Sequence, residues 1–208
     1  MINIGQIFII SAPSGTGKSS LIKAFLKKER SFQIKKSISF TTRIMRPRER
    51  NGIDYYFVSK KKFQLMIKKK KFLEYAKVFN NYYGTSLKKT ELVLSQGKDI
   101  LLDIDWQGSI QIKKFFPNSK SIFLLPPSKK ELLNRLYKRN QDKESIILKR
   151  MKNFFLEISH YLEYDYLIIN DNFNYSISNL KSIIQSSRLL TYYQNIKYKY
   201  LIKNLLKK

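Results

Sequence analysis

Cysteine is absent from the 208 residues, and proline and glycine are scarce, with five and seven residues respectively. Without cysteine the chain can form neither a disulfide nor a thiolate metal site, which fits a reducing compartment. No apolar run approaches the roughly 18 residues that a membrane-spanning helix needs. Residues 1–6 lack the basic region of a secretory signal. We therefore expect a soluble, cytoplasmic protein with one globular domain.

Acidic residues are also few. The 15 Asp and Glu residues face 41 Lys and Arg, which gives a formal net charge of +26. Such a charge attracts nucleic acid. Codon bias is the alternative, because the abundant Lys, Ile, Asn, Tyr and Phe are the residues that AT-rich codons encode. The lysines are scattered, without the aromatic stacking pattern of single-strand binding proteins. We favour codon bias and expect neither a nucleic-acid partner nor a membrane partner; the basic segment 192–208 is interpreted as a helix packed against the sheet rather than a membrane-surface helix.

Arginine is rarer than lysine, and its positions are informative. Only nine of the 41 basic residues are arginine, and seven of the nine lie in two groups. These groups are Arg43, Arg46, Arg48 and Arg50, and then Arg135, Arg139 and Arg150. A guanidinium can bind phosphate through two parallel hydrogen bonds, which an ammonium cannot do. The groups indicate phosphoryl transfer, in which positioning and charge stabilisation supply most of the catalysis; chance clustering of solvated side chains is the alternative.

Residues 11–20 have the pattern of a phosphate-binding loop. They follow the apolar run 7–10 and precede apolar residues at helical spacing, so a strand, a glycine-containing turn and a helix succeed one another. Backbone N–H groups of such a turn converge on phosphate oxygens. Lys18 can reach the β- and γ-phosphates, and the Ser19 hydroxyl can bind Mg²⁺. The usual pattern starts with glycine where this chain has Ala12, and an ordinary Ser- and Gly-rich turn is the alternative. The predicted ATP-binding residues are Ala12, Pro13, Ser14, Gly15, Thr16, Gly17, Lys18, Ser19 and Ser20.

The rest of the chain alternates between strand-like and helix-like segments. Strands are predicted over 6–11, 55–58, 72–79, 100–105, 121–125 and 166–170, and helices over 17–29, 60–69, 86–96, 107–116, 128–139, 144–162 and most of 176–205. Residues 80–86 are predicted to form a turn. This alternation predicts an α/β fold with a doubly wound parallel sheet.

Asp103 and Asp105 end a buried strand, where α/β sheets bind ligands, so either could bind Mg²⁺; helix capping is the alternative.

These motifs resemble those of the guanylate kinases over nearly the whole chain. The matching stretches are 11–20, 39–46, 52–57, 81–85, 102–108 and 169–171. The Thr-Thr-Arg and Asn-Tyr-Tyr-Gly elements are specific to that family, whereas many NTPases share the phosphate loop. The resemblance implies a P-loop NTPase-type parallel sheet flanked by helices, a small α+β insertion that binds the nucleoside monophosphate, and a helical lid. The implied boundaries are 1–34, 96–125 and 163–208 for the core, 35–95 for the insertion and 126–162 for the lid.

The same resemblance implies Mg²⁺-dependent transfer of the ATP γ-phosphoryl group to GMP, and to dGMP as well, in purine nucleotide metabolism. The implied GMP-binding residues are Arg43, Arg46, Tyr55 and Tyr83 at the phosphate, and Ser39, Glu74, Thr85 and Asp105 at guanine. The implied catalytic residues are Lys18, Arg46, Arg139 and Arg150. Arg135, Asn170 and Asp171 are implied at ATP, and Ser19 and Asp103 at the metal, although Asp103 and Asp105 could exchange roles.

Two positions depart from the family pattern: Arg48 and Asn140 stand where glycine is common. Asn tolerates left-handed backbone geometry, so we expect the chain to retain its lid. Only the rate of lid motion is open to change. The rival functions are a kinase for another monophosphate and a catalytically inactive guanylate-kinase-like binding module. Such modules have degenerate phosphate loops, whereas Lys18 and the lid arginines are present here. The oligomeric state is left open.

Overall fold

A computed structural model describes residues 5–47, 49–78, 80–138 and 144–207 of the chain. Its strands are β1 (Ile7–Ser11), β2 (Lys35–Lys36), β3 (Phe40–Thr41), β4 (Tyr56–Phe57), β5 (Phe72–Val78), β6 (Asn81–Ser86), β7 (Ile100–Asp103), β8 (Lys120–Leu125) and β9 (Tyr166–Ile169). Its helices are α1 (Lys18–Lys28), α2 (Lys60–Lys68), α3 (Leu87–Ser95), α4 (Trp106–Phe115), α5 (Lys129–Lys138), α6 (Glu144–Ile158), α7 (Phe173–Arg188), α8 (Thr191–Lys197) and α9 (Lys199–Leu205). Short 3-10 turns lie at Arg30–Phe32 and Tyr161–Glu163.

The larger sheet has five parallel strands in the order β2-β7-β1-β8-β9. Its central strand β1 is buried along its whole length, because helices cover both faces of the sheet. Phe8 and Ile10 pack with α1 and α7 on one face, while Ile7 and Ile9 pack with α3 and α4 on the other. This arrangement confirms the predicted α/β fold. It also places the carboxyl ends of β7, β1 and β9 along one edge of the sheet, which positions the site.

The smaller sheet has the order β4-β3-β6-β5, with β3 and β4 parallel and the other pairs antiparallel. Phe63 of α2 is fully buried against it, with its ring 4.4 Å from that of Phe72 and 5.4 Å from that of Tyr82. The predicted turn over 80–86 is wrong for 81–86, which forms β6. Gly84 is a structural residue here rather than a turn former, because a Cβ would lie 2.9 Å from the Phe72 ring.

Helices α5 and α6, which lie in the predicted lid, share an apolar cluster of their own, formed by Leu132, Leu136, Ile147 and Phe154. Helix α6 ends at Ile158, four residues before the predicted end, and a 3-10 turn follows it. Arg48, Arg139 and Asn140 lie outside the described residues.

Two further differences from the sequence predictions concern the edges of the fold. Strand β2 lies within the segment 35–95 but pairs with β7 of the larger sheet, so the core extends into the predicted insertion. The expected packing of the whole C-terminal segment is wrong for α9, in which Leu205 is 75% exposed and Leu201 54% exposed. None of the described helices is long and apolar enough to cross a membrane.

Candidate nucleotide site

The phosphate loop is held in shape by its own backbone and by β9. Gly15 and Gly17 have φ values of 94° and 101°, a region that favours glycine. Inside the loop, the Thr16 hydroxyl donates to the Pro13 carbonyl at 2.8 Å. From the end of β9, the buried Asn170 amide donates to the Thr16 carbonyl at 2.7 Å. A Cβ on Gly17 would lie 2.7 Å from that amide nitrogen, so the close approach also requires glycine.

Lys18, the first residue of α1, shares a buried carboxylate with a second lysine. Its Nζ lies 3.0 Å from Asp103 Oδ1 and donates to the Ile104 carbonyl at 3.1 Å. Lys36 Nζ, from the end of β2, lies 3.2 Å from Asp103 Oδ2. Burial alone would raise the pKa of Asp103, but the two ammonium groups hold that pKa below its usual value. Asp103 therefore lies beside the lysine of the phosphate loop, and its assignment to the metal stays a prediction.

Asp105 has a separate structural role at the start of α4. Its Oδ1 accepts from the Gly108 N–H and its Oδ2 from the Gln107 side-chain amide, both at 3.0 Å. Helix capping, the alternative given for this pair of carboxylates, is thus found at Asp105. The Asp105 charge also contributes to raising the pKa of Glu74, so Asp105 lies near the predicted guanine-binding carboxylate.

The predicted guanine-binding groups Glu74 and Thr85 face each other as a cross-strand pair between β5 and β6. Glu74 is only 3% exposed, and burial raises its pKa to about 7, with a further contribution from Asp105. Gly108 leaves room for it, because a Cβ there would lie 2.5 Å from Glu74 Oε2. The Thr85 hydroxyl is buried and forms no regular hydrogen bond among the described residues. The side chain and backbone of Thr85 nevertheless lie close enough to Glu74 to oppose the rise in its pKa. Ser39, also buried, belongs to the same small sheet region.

The predicted binding group for the GMP phosphate is assembled around Arg43. The guanidinium lies 5.5 Å from the centre of the Tyr55 ring, and the Tyr55 and Tyr83 rings are 6.0 Å apart. Burial raises the pKa of the Tyr55 phenol, so this hydroxyl stays a hydrogen-bond donor at neutral pH.

Glu49 holds the two arginines of this group in place. Arg43 Nη2 lies 2.6 Å from Glu49 Oε1, and the Arg46 backbone N–H donates to Glu49 Oε2 at 2.9 Å. Although burial opposes ionisation, the hydrogen bond from Arg43 holds the pKa of Glu49 below its usual value. The arginine-rich loop thus supplies its own counter-ion.

Two side chains of α6 lie close to the phosphate loop at Ser14. Arg150 Nη1 donates to Ser14 Oγ at 2.8 Å. The Glu157 carboxylate lies near the Ser14 backbone, which acts to lower the pKa of Glu157. The two side chains are seven residues apart on α6 and therefore share one face of the helix. Burial raises the pKa of Glu157 to about 7, although Lys18 acts in the opposite direction.

Arg135 links α5 to the same loop. It donates to the carbonyls of Thr16 at 3.2 Å and Asn170 at 3.1 Å, and to Glu131 at 2.8 Å. Arg135 and Asn170 therefore contact the backbone of the ATP-binding loop.

The structure brings together most of the predicted residues. Asp171, Ser19 and Ser20 are exposed at the rim, and Arg139 lies outside the described residues. Sequence reasoning missed Lys36, Glu49 and Glu157. Glu49 had a signal, since a lone carboxylate in an arginine-rich loop calls for a pairing partner; Lys36 and Glu157 had none, because lysine and glutamate are ordinary residues on strand ends and helix faces.

Comparison with known proteins gives a consistent result. The family model described as guanylate kinase matches residues 5–187. The guanylate kinase of Buchnera aphidicola subsp. Schizaphis graminum is 58% identical over 203 residues, which cover 98% of each chain. That of Yersinia pestis is 53% identical over 202 residues, covering 97% of this chain and 98% of the relative.

A solved structure agrees with these relatives. The crystal structure of guanylate kinase from Anaplasma phagocytophilum superposes with a TM-score of 0.75 at 33% identity, over 91% of this chain and 89% of the other. The phosphate loop, the buried guanine-side carboxylate and the full-length similarity lead to one conclusion: the chain belongs to the guanylate kinase family.

Proposed function

We propose that the protein transfers the γ-phosphoryl group of ATP to GMP, and also to dGMP. A phosphate oxygen of GMP forms a bond to the γ-phosphorus, and the bond from that phosphorus to the β–γ bridging oxygen breaks. The products are GDP and ADP. The attacking oxygen is already anionic, so the reaction needs no general base. Guanylate kinase activity as such follows from the family.

The main support for the proposal is that basic side chains from the core and from the proposed lid both lie at the phosphate loop. Lys18 begins the helix after the loop, and Arg150 of the lid hydrogen-bonds to Ser14 within it. Cations from two parts of the chain thus lie at the loop, where charge on a transferring phosphoryl group would need stabilisation. We assign catalytic roles to Lys18, Arg46, Arg139 and Arg150. Burial of the acceptor and donor groups by the lid would also limit transfer to water.

The guanine end supports GMP as the acceptor. An ionised Glu74 can accept hydrogen bonds from the N1–H and exocyclic amine of guanine, and Thr85 has a buried hydroxyl available for O6. Adenine presents the opposite pattern of donors and acceptors at these edges. Site groups left unpaired against AMP would cost about 1–3 kcal/mol each. We propose Ser39 and Asp105 as further guanine contacts, and Arg43, Arg46, Tyr55 and Tyr83 as the groups that bind the GMP phosphate.

Mg²⁺ is proposed to accompany ATP. The donor chemistry fits, because Ser19 and Asp103 offer the oxygen ligands that Mg²⁺ prefers, and nucleotide phosphates supply others. The metal would neutralise charge on the phosphates. Asp103 is engaged by two lysines in the structure, which favours an outer-sphere role through water.

The division into a core, a GMP-binding insertion (35–95) and a lid (126–162) is likewise a proposal. The small sheet and the apolar cluster shared by α5 and α6 support it, since each is a packed unit beside the core. We propose the cytoplasm, where ATP is abundant, as the site of the reaction.

A coupled assay of ADP formation tests the proposal, with ATP, Mg²⁺ and GMP, dGMP, AMP, UMP or IMP as acceptor. We expect turnover with GMP and dGMP and little with AMP or UMP. Lys18→Met should reduce turnover by about 1,000-fold while GMP still binds, because Lys18 acts on the transferring phosphates. Lys27→Met, an exposed lysine on the same helix, is the control. A Lys18→Met enzyme with near-normal turnover, or AMP as the best acceptor, would contradict these assignments.

A further inference from the structure

Lys18, the lysine of the phosphate loop, forms an ion pair with Asp103 in the structure. Lys18 Nζ is bonded to Asp103 Oδ1 and to the Ile104 carbonyl. To reach ATP phosphates, Lys18 must leave the Asp103 carboxylate. The Asp103 side chain is only 9% exposed, so water cannot fully replace the departing ammonium. An unpaired buried carboxylate is costly, and this cost would oppose ATP binding.

Lys36 is in a position to offset that cost. Its Nζ contacts the other carboxylate oxygen, Oδ2, and its side chain is only 23% exposed. The backbone on which it stands is fixed, because β2 pairs with β7 and the Ser37 N–H donates to the Leu101 carbonyl at 2.9 Å. Lys18 and Lys36 therefore hold different oxygens of one carboxylate, and one of them can leave without the other.

We propose that Lys36 is a positioning residue that holds Asp103 through Oδ2 while Lys18 moves from Oδ1 to the phosphates of ATP. Lys36 acts through Asp103 and Lys18 and contacts neither substrate. The proposal rests on the assignment of Lys18 to the ATP phosphates made above. It gives a role to a residue that the local sequence does not distinguish from the many other lysines of this chain.

The proposal predicts an effect on ATP binding and not on the chemical step. Without Lys36, Lys18 becomes the sole counter-ion of Asp103 in the described structure, and its release becomes more costly. That cost arises when ATP binds and is the same in the transition state, so KM for ATP rises while kcat is unchanged. We expect Lys36→Met to raise the Kd and KM for ATP about tenfold, the size of a charge-assisted hydrogen bond. KM for GMP should stay within about twofold.

The chain offers a matched control one residue away. Lys35 lies on the same strand, is exposed, and points to the opposite face of the sheet. Lys35→Met changes the net charge by the same amount, so it reports any general electrostatic effect on a polyanionic ligand.

The experiment measures the Kd for a fluorescent ATP analogue and the steady-state kinetics for both substrates. It compares the wild type with Lys36→Met, Lys35→Met and Lys36→Arg. We expect Lys35→Met to match the wild type and Lys36→Arg to restore the affinity for ATP.

Three outcomes would overturn the proposal: equal affinities for ATP in Lys36→Met and Lys35→Met, a rise in KM for GMP instead, or a loss of kcat at unchanged ATP affinity. Because Lys36→Met leaves a buried carboxylate with one counter-ion fewer, the folding of each variant is checked by thermal unfolding.

A second test removes the Asp103 charge and compares Asp103→Asn with Asp103→Asn/Lys36→Met. Lys36→Met should have no further effect on ATP affinity in this background, and a remaining tenfold effect would refute the proposal. Failure of the Lys18 assignment would show separately, as normal turnover in Lys18→Met.

Discussion

The two ends of the nucleotide site treat a buried carboxylate in opposite ways. At the phosphate end, Asp103 lies between two ammonium groups that hold its pKa below the usual value. At the guanine end, Glu74 is just as inaccessible, but no described lysine or arginine pairs with it, and burial raises its pKa to about 7. Thr85 next to it forms no regular hydrogen bond through its hydroxyl, although its side chain and backbone partly oppose the rise in the pKa of Glu74. The protein compensates the charge at the phosphate end with two cations, whereas at the proposed guanine end Glu74 has only uncharged partners among the described residues.

This difference indicates where each end derives its selectivity. Triphosphates are common to many nucleotides, so under our proposal the phosphate end needs only to exchange one anion, Asp103, for another. The guanine end must distinguish bases, and buried groups left unsatisfied by a wrong base give that discrimination. They also reduce the stability of the empty protein, because desolvated polar groups without partners are costly.

Removing the charge of Glu74 should have the largest effect on this contrast. Glu74→Gln replaces one guanine-facing acceptor by an amide donor, and we expect KM for GMP to rise about 100-fold. The same variant should be more stable than the wild type at pH 8, because burial opposes the charge of Glu74 and Gln carries none. A steady-state GMP titration and urea unfolding without ligand measure the two effects. Loss of both GMP affinity and stability would mean that Glu74 serves the fold.

The pH dependence of GMP binding tests the same carboxylate without a mutation. The pKa of Glu74 in the folded protein is about 7, above the usual value of 4.5. Its protonated fraction therefore grows as the pH falls through 7, and KM for GMP should be about tenfold higher at pH 6 than at pH 8. For stability the sign is opposite: the folded state binds the extra proton, so this group's contribution becomes less favourable as the pH rises from 4.5 to 7.

The GMP phosphate also titrates near pH 6, so a control is needed. Glu74→Gln retains that titration and lacks the carboxylate. If the wild type and Glu74→Gln show the same pH dependence of KM, Glu74 does not control GMP binding in this range.

Thr85→Val should have an intermediate effect. The hydroxyl forms no regular hydrogen bond among the described residues and only a weak contact with Glu74, so its replacement by a methyl group should change stability little. KM for GMP should rise roughly fivefold, with a smaller change for monophosphates that lack the guanine O6 acceptor. Thr90, a buried threonine of α3 whose hydroxyl donates to the Ser86 carbonyl at 2.9 Å, is the matched control. Thr90→Val should lose stability and leave KM for GMP unchanged.

The smallest predicted effect lies at the phosphate end. Glu157→Gln removes a negative charge close to Lys18 and to the Ser14 N–H, and we expect KM for ATP to fall roughly threefold. The change should be seen at pH 8, where the carboxylate is ionised, and should shrink at pH 6. Glu144→Gln, at the start of the same helix, is the control. A rise in KM for ATP would show instead that Glu157 helps the loop to bind phosphate.

The sequence was most informative where function depends on local geometry. The phosphate loop and strands β1, β7 and β8 could be placed within two residues, because a continuous apolar run and a glycine-containing turn are short-range signals. Strand β6 could not be, since its Asn and Gly residues are typical of turns and only the rings of Phe72 and Phe63 explain Gly84. The pairing of Asp103 with Lys36 joins residues far apart in sequence, and in a chain with 41 basic residues no local signal marks the relevant one.

The amide of Asn170 behind the phosphate loop has a consequence for the thermodynamics of the reaction cycle. Because the Asn170 amide fixes the Thr16 carbonyl, we expect the loop to lose little conformational entropy on binding a nucleotide. More of the binding free energy of ATP is then left for drawing in the peripheral arginines. The rigidity of the phosphate loop would thereby determine how much binding free energy is available to move the arginines around it.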